Sequence, residues 1–167
     1  AFDGENDPDI LAGIAASACV AISDIPFISP TAHVRVGRVN GQFVINPTVS
    51  ELENSEFELT LAGTKHYVNM IELGAMETPE DVVADAIEFG HQVIQQICEM
   101  IEELQEQAGL EKVGEYHLPD PDLAEEVRKK VASKIRAVKG KPGKADRAEA
   151  VDKLLENLLA EMAPDPD

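Results

Sequence analysis

Two short β-branched runs, Val34-Arg35-Val36-Gly37-Arg38-Val39 and Gln42-Phe43-Val44-Ile45, meet at Asn40-Gly41, and this junction constrains the fold more than any other stretch. Both central positions of a two-residue hairpin need positive φ, which Asn and Gly tolerate, so the pair predicts an antiparallel hairpin. A second strand pair, Phe57 to Ala62 and Tyr67 to Leu73, follows across the turn Gly63-Thr64-Lys65-His66. Four antiparallel strands make a sheet that needs a covered face. Thr78-Pro79-Glu80-Asp81 reads as an N-cap with Pro inside it. Val82, Val83, Ala86, Ile87, Val93, Ile94, Ile97, Ile101 and Leu104 then recur at helical spacing to about Ala108, ended by Gly109. This long helix is the expected cover, with Asp85, Glu99, Glu102, Glu103 and Glu106 on its acidic side. Upstream, Asp7-Pro8-Asp9 opens a small-residue helix predicted from about Pro8 to Ile22, closed by Ser23-Asp24-Ile25-Pro26.

Composition changes between Gly109 and Pro121. Beyond this linker, Asp120-Pro121 caps a helix bearing Leu123, Val127, Val131, Ile135 and Val138, and Gly140-Lys141-Pro142-Gly143-Lys144 breaks it. A last helix presents Ala148, Val151, Leu154, Leu155, Leu158 and Leu159. Two amphipathic helices alone leave part of both stripes open, so they are expected to dock on the body or on further chain. No internal repeat is evident. The fold class is therefore α+β, an antiparallel sheet covered by helices and followed by a small all-α domain, with domains at residues 1–110 and 111–167.

The formal net charge of -18 is unevenly distributed. Residues 1–111 hold 3 basic and 20 acidic side chains, a net of -17, whereas residues 128–153 carry 10 of the 14 Lys and Arg and a net of +7. With no Trp and 4% aromatics, stacking platforms for single-stranded nucleic acid are not expected. The longest nearly uncharged apolar run, Ile10 to Ile22, is shorter than the roughly 20 residues of a membrane span and has no basic segment before it. The expectation is a cytoplasmic chain with no membrane partner, in which Cys19 and Cys98 are reduced thiols.

Phosphate-cradling loops, CxxC pairs, HExxH and nucleophile elbows are all absent from the sequence. Among His33, His66, His91 and His117, only His91 has an acid, Glu88, one helical turn away. Two further metal ligands are unaccounted for, so a surface hydrogen bond or a packed histidine outweighs a metal site. Glu51, Glu53, Glu56 and Glu58 cluster ahead of and inside a strand; such carboxylates can bind Mg²⁺ or exchange protons, against the alternative of a solvated acidic loop. On the basic segment, Arg128, Lys129, Lys130, Lys134, Arg136 and Lys139 are candidates for phosphate contact, against the alternative of a helix face that balances an acidic body.

Seven ordered blocks carry a resemblance: Asp3-Gly4-Glu5-Asn6-Asp7-Pro8-Asp9, Ala16-Ser17-Ala18, Ser23-Asp24-Ile25-Pro26-Phe27, Val34 to Val39, Phe43-Val44-Ile45-Asn46-Pro47-Thr48, Leu61-Ala62-Gly63-Thr64 and Phe89-Gly90-His91. In order and spacing they resemble bacterial polynucleotide phosphorylases over residues 1 to about 110, with a looser likeness of residues 111–162 to that family's helical linker domain. The chain departs from the pattern at Phe27-Ile28-Ser29-Pro30, where the family usually has Gly before Pro, at Cys19, and in a shortened stretch around Gly140 to Lys144.

The resemblance implies the second half of the first RNase PH-like domain, of ribosomal protein S5 domain 2-like fold, plus the all-helical domain. It implies a parent that shortens RNA from its 3′ end with inorganic phosphate, releasing nucleoside diphosphates. The parent uses Mg²⁺ or Mn²⁺ and works as a homotrimer. The family's catalytic acids and lysine lie in the second RNase PH-like copy; by the shared Ala-Gly-Thr block their counterparts here are Leu52, Glu58 and Thr60, a degenerate set. The expectation is thus a non-catalytic scaffold, trimer and RNA-path element without a cofactor of its own. Its sheet edge is left unpaired unless a partner covers it. The alternative is an autonomous interaction module or engineered fragment, favoured by the -17 body that repels phosphate.

Overall fold

The computed structural model describes residues 2–114 and 118–163. They form two compact units, Ala1–Glu115 and Tyr116–Asp167. In the first, α1 (Asp9–Ile22) precedes β1 (Ala32–Val39), β2 (Gln42–Ile45), α2 (Val49–Leu52), β3 (Phe57–Gly63), β4 (Val68–Ala75) and α3 (Glu80–Ala108). The strands make one antiparallel sheet in the order β2-β1-β3-β4. Asn40 and Gly41 adopt φ of 52° and 76°, and Val39 faces Gln42, as the Asn-Gly pair requires.

Alternation along each strand sorts the side chains to two faces. Val34, Val36, Leu59 and Leu61 are fully buried on one face together with Ile94 and Cys98. Here α3 lies close: a Cβ on Gly90 would stand 2.5 Å from Leu61 Cδ1 and 2.9 Å from Val36 Cγ2, so Gly90 sets the depth at which the helix docks. The expected stripe holds for Ala86, Ile94 and Ile101, which are buried. It fails at Leu104, which is 41% exposed, and it omitted Cys98, whose thiol contacts the Pro30 carbonyl. Thr78 does not cap α3: its hydroxyl reaches the Glu56 carbonyl at 3.5 Å, and Pro79 occupies the N-cap with no side-chain bond.

The other face of β1 meets α1, where a Cβ on Gly13 would lie 2.7 Å from His33 Nδ1. Residues after α3 strap down the C-terminal end of α1. Leu110 N donates to Ile22 O, Val113 N to Asp24 O, and Lys112 Nζ to the carbonyls of Val20, Ala21 and Ser23. A cation thus satisfies carbonyls that a helix end leaves without partners. The short helix α2 replaces the expected acidic loop. Its signal is Thr48-x-x-Glu51, a reciprocal capping box.

The second unit is a pair of helices, α4 (Pro121–Lys139) and α5 (Lys144–Met162). The Asp120 carboxylate accepts from the amides of Asp122 and Leu123, so the predicted cap is formed. Only Val138 is buried among its described residues, while Leu123, Leu155 and Leu159 stay more than half exposed.

Candidate functional site

On the sheet face away from α3, register brings polar side chains together. β1 supplies Arg35, β3 supplies Glu58 and Thr60, and β4 supplies Glu72, with Thr60 facing both Arg35 and Glu72 across the ladder. Gly74 faces Glu58 and leaves room beside it. With Asp9 of α1 these residues line an open cleft of about 440 Å³.

The Arg35 guanidinium is the centre of this cleft, its side chain only 11% exposed. Its terminal nitrogens bind Asp7 Oδ2 at 3.3 Å and Asp9 Oδ2 at 2.5 Å, and Glu58 Oε1 lies 3.0 Å from its Nε. The Asp9 amide, with a further contribution from Arg35, holds the Asp7 carboxyl below the usual carboxylate range. One guanidinium faces Asp7, Asp9, Glu58 and Glu72, so the local charge is negative. Such a surface repels an incoming phosphate and leaves Arg35 no free fork with which to bind one.

The three positions that the resemblance sets against the family's catalytic residues, Leu52, Glu58 and Thr60, do not all line this cleft. Glu58 and Thr60 line the cleft, whereas Leu52 lies on α2 and is not among the lining residues. Neither a leucine nor a threonine replaces an anionic ligand, and Glu58 is engaged by Arg35, so the donor set does not fit Mg²⁺ or Mn²⁺. Among the described residues, no group of three or more His, Cys, Asp or Glu is placed to hold a metal.

The acidic cluster disperses in the fold. Glu51 completes the α2 capping box, Glu56 pairs with Arg38 at 2.8 Å, and Glu58 pairs with Arg35. His91 Nε2 lies 3.0 Å from Thr64 O and, with Gln95 Nε2 donating to Lys65 O, ties the β3–β4 turn to α3. Lys65 bridges to Glu99 and Glu102 in the same tie. The Glu102 and Glu99 hydrogen bonds push its pKa up. His117 lies outside the described residues.

In the second unit the basic candidates fall into two groups. Arg128 and Lys129 pair with Glu125, and Lys130 with Glu126 and Glu161. The Glu161 hydrogen bond raises the Lys130 pKa, and Lys130 lowers that of Glu161. Lys134, Arg136 and Lys139 form no ion pair among the described residues. At the turn, Lys139, Lys144 and Arg147 come together around a cleft of about 490 Å³ that Ala148, Val151 and Asp152 also line. Lys144 and Arg147 were within the basic segment but not among the residues singled out from it. Only the reversal at Gly140 to Gly143, with Gly143 at φ 85°, sets them beside Lys139.

The 3′ exoribonuclease family, domain 2, matches residues 29–93, which span β1 to β4 and the first half of α3. The polyribonucleotide nucleotidyltransferase of Geobacillus kaustophilus is 42% identical over 159 residues, 95% of this chain and 22% of that protein. That of Deinococcus radiodurans is 40% identical over 170 residues, 98% of this chain and 21% of that protein. The chain therefore spans about a fifth of the length of these relatives. Rice Rrp46 shares the fold at a TM-score of 0.54 and 16% identity, over 62% of this chain and 51% of that one. No helix among the described residues is long and apolar enough to cross a membrane.

Proposed function

Because the chain carries a 3′ exoribonuclease family domain 2 and matches one segment of the polyribonucleotide nucleotidyltransferases over nearly all its length, we propose that it is a non-catalytic element of such an enzyme. In this reading the parent shortens RNA from the 3′ end with inorganic phosphate and Mg²⁺ or Mn²⁺, as a homotrimer in the cytoplasm. This portion supplies scaffold, trimer contacts and part of the RNA path, and holds no cation itself.

The observation that carries the reading is the state of the cleft. Phosphorolysis needs positive charge around the attacking phosphate and the bond being broken. Here Arg35 is consumed by Asp7, Asp9 and Glu58, and Thr60 stands where the resemblance puts a lysine. Incubating the chain with poly(A), phosphate and Mg²⁺ should release no nucleoside diphosphate; phosphate-dependent release would overturn the assignment.

Contact with RNA is assigned to the second unit. The support is that Lys134, Arg136, Lys139, Lys144 and Arg147 are not spent on ion pairs among the described residues, unlike Arg128, Lys129 and Lys130. Titrating labelled single-stranded RNA at two salt concentrations should show binding that falls with salt. Charge reversal at Lys134 and Lys139 should weaken it more than reversal at Lys129. Absence of binding at low salt would favour the second reading, an interaction module that kept the fold without RNA work, for which the observation is the acidic cleft.

A further inference from the structure

The cations of the second unit that carry no ion pair among the described residues do not form one row. At 3.6 residues per turn, Lys134 and Lys139 stand about 140° apart around α4, so a nucleic-acid backbone lying along one face of the helix meets only one of them. Positive charge gathers instead at the turn. There Lys139, from the end of α4, meets Lys144 and Arg147, from the start of α5, around the cleft of about 490 Å³.

These three cations share the cleft with one acid, Asp152, and none of them lies within ion-pair distance of a carboxylate among the described residues. Like charges gathered in this way repel, and an anion between them relieves the repulsion. Arg147 is half-buried, and its Nη1 donates to the Lys141 carbonyl at 3.0 Å, which holds the guanidinium at the turn. That bond uses one of the five N–H groups of the fork.

The backbone of the turn adds donors of the same sense. Gly143 stands at φ 85°, where a residue with a Cβ is strained, and glycine brings no capping side chain. The opening amides of α5, at Lys144, Ala145 and Asp146, therefore have no acceptor among the described residues. Asp146 is the acid of this first turn, and its carboxylate beside Gly143 caps none of them.

We propose that Lys139, Lys144 and Arg147 bind a single doubly charged phosphate group, either inorganic phosphate or the terminal monoester of a nucleotide or RNA chain. One guanidinium and two ammonium groups converging on one cleft match the charge and the free oxygens of such a group, whereas a phosphodiester presents one charge and fewer free oxygens. The site shares its cations with the RNA reading but needs no RNA, so the two stand or fall separately.

The test follows the amides of Lys139, Lys144, Ala145 and Arg147 by NMR in the whole 167-residue chain at constant ionic strength. Inorganic phosphate and adenosine 5′-monophosphate should shift them to saturation, and dimethyl phosphate should bind at least about tenfold more weakly. Affinity for the monoester should rise through about pH 6, where its second proton leaves. Lys144→Glu or Arg147→Glu should weaken phosphate binding at least about tenfold, and Lys129→Glu should leave it unchanged. Should a variant lose its helices by circular dichroism, titration of the wild-type chain decides alone. Tighter binding of a 5′-phosphorylated RNA than of its 5′-hydroxyl form supports the site and names RNA ends as its source; equal binding of the two, with saturation by inorganic phosphate, supports it and names the free anion. Shifts that do not saturate, or that dimethyl phosphate or chloride reproduces, overturn the proposal whether or not RNA binds. Saturable phosphate binding without RNA binding supports this site and overturns the RNA reading alone.

Discussion

Arg35 shows how a single side chain closes a site. It is a cation inside a strongly acidic unit, buried among carboxylates from the N-terminal segment, α1 and β3. Arg35→Ala should therefore destabilise the first unit by about 2 kcal/mol, since hydrogen bonds to charged groups contribute about 1.5–3 kcal/mol and the carboxylates here are about half exposed. The urea midpoint checks this, and an unchanged midpoint would show the cluster to be ornamental. Asp3 makes a separate prediction by pH. The Asn6 amide, helped by the Asn6 side chain and the Glu5 amide, holds its carboxyl down at about 2 from an ordinary 3.8. A folded value below the unfolded one means the tie is fully present above about pH 4 and is lost as pH falls through about 2. Carboxyl NMR should place the Asp3 midpoint near 2. Protection of the Glu5 and Asn6 amides should fall in the same window, and Asp3→Asn should remove that dependence.

At the scale of elements, the docking of α3 on β1 and β3 depends on an absent side chain. Gly90→Ala gains up to about 1 kcal/mol of helix propensity but drives a methyl into Leu61 and Val36, an overpacking cost of about 1–3 kcal/mol. The expected net result is a lower melting temperature; a rise would mean that the sheet gives way at little cost. The hairpin, both long helices of the second unit and α3 were legible because each announces itself locally, through Asn-Gly, Asp-Pro and a period of 3.6. Less was legible where the signal is reciprocal or distant. The α2 capping box was present in Thr48 and Glu51 but was masked by the run of acids that follows. Burial of Cys98 was not legible, because it depends on the path of Pro30 above it. His91 read as a packed or hydrogen-bonded histidine, but its partner, the Thr64 carbonyl, is visible only in the fold.

For the whole molecule, the two units rest on different amounts of core. The first encloses Val34, Val36, Leu59, Leu61, Ile94 and Cys98 completely, whereas α5 has no buried residue among those described. Native-state hydrogen exchange should therefore show α4 and α5 opening at lower free energy than β1 and β3. Equal protection in the two units would mean that the helical pair gains support that its own packing does not supply. The sequence by itself determined the four strands, the long helices and the sign of charge in each region, because these follow from local spacing and residue type. Only the tertiary structure decided that Arg35 is spent on Asp7, Asp9 and Glu58 and that Lys144 and Arg147 join Lys139. Those facts depend on strand order and on which face each residue takes, and pairwise contacts between residues far apart in the chain leave no periodic mark on it.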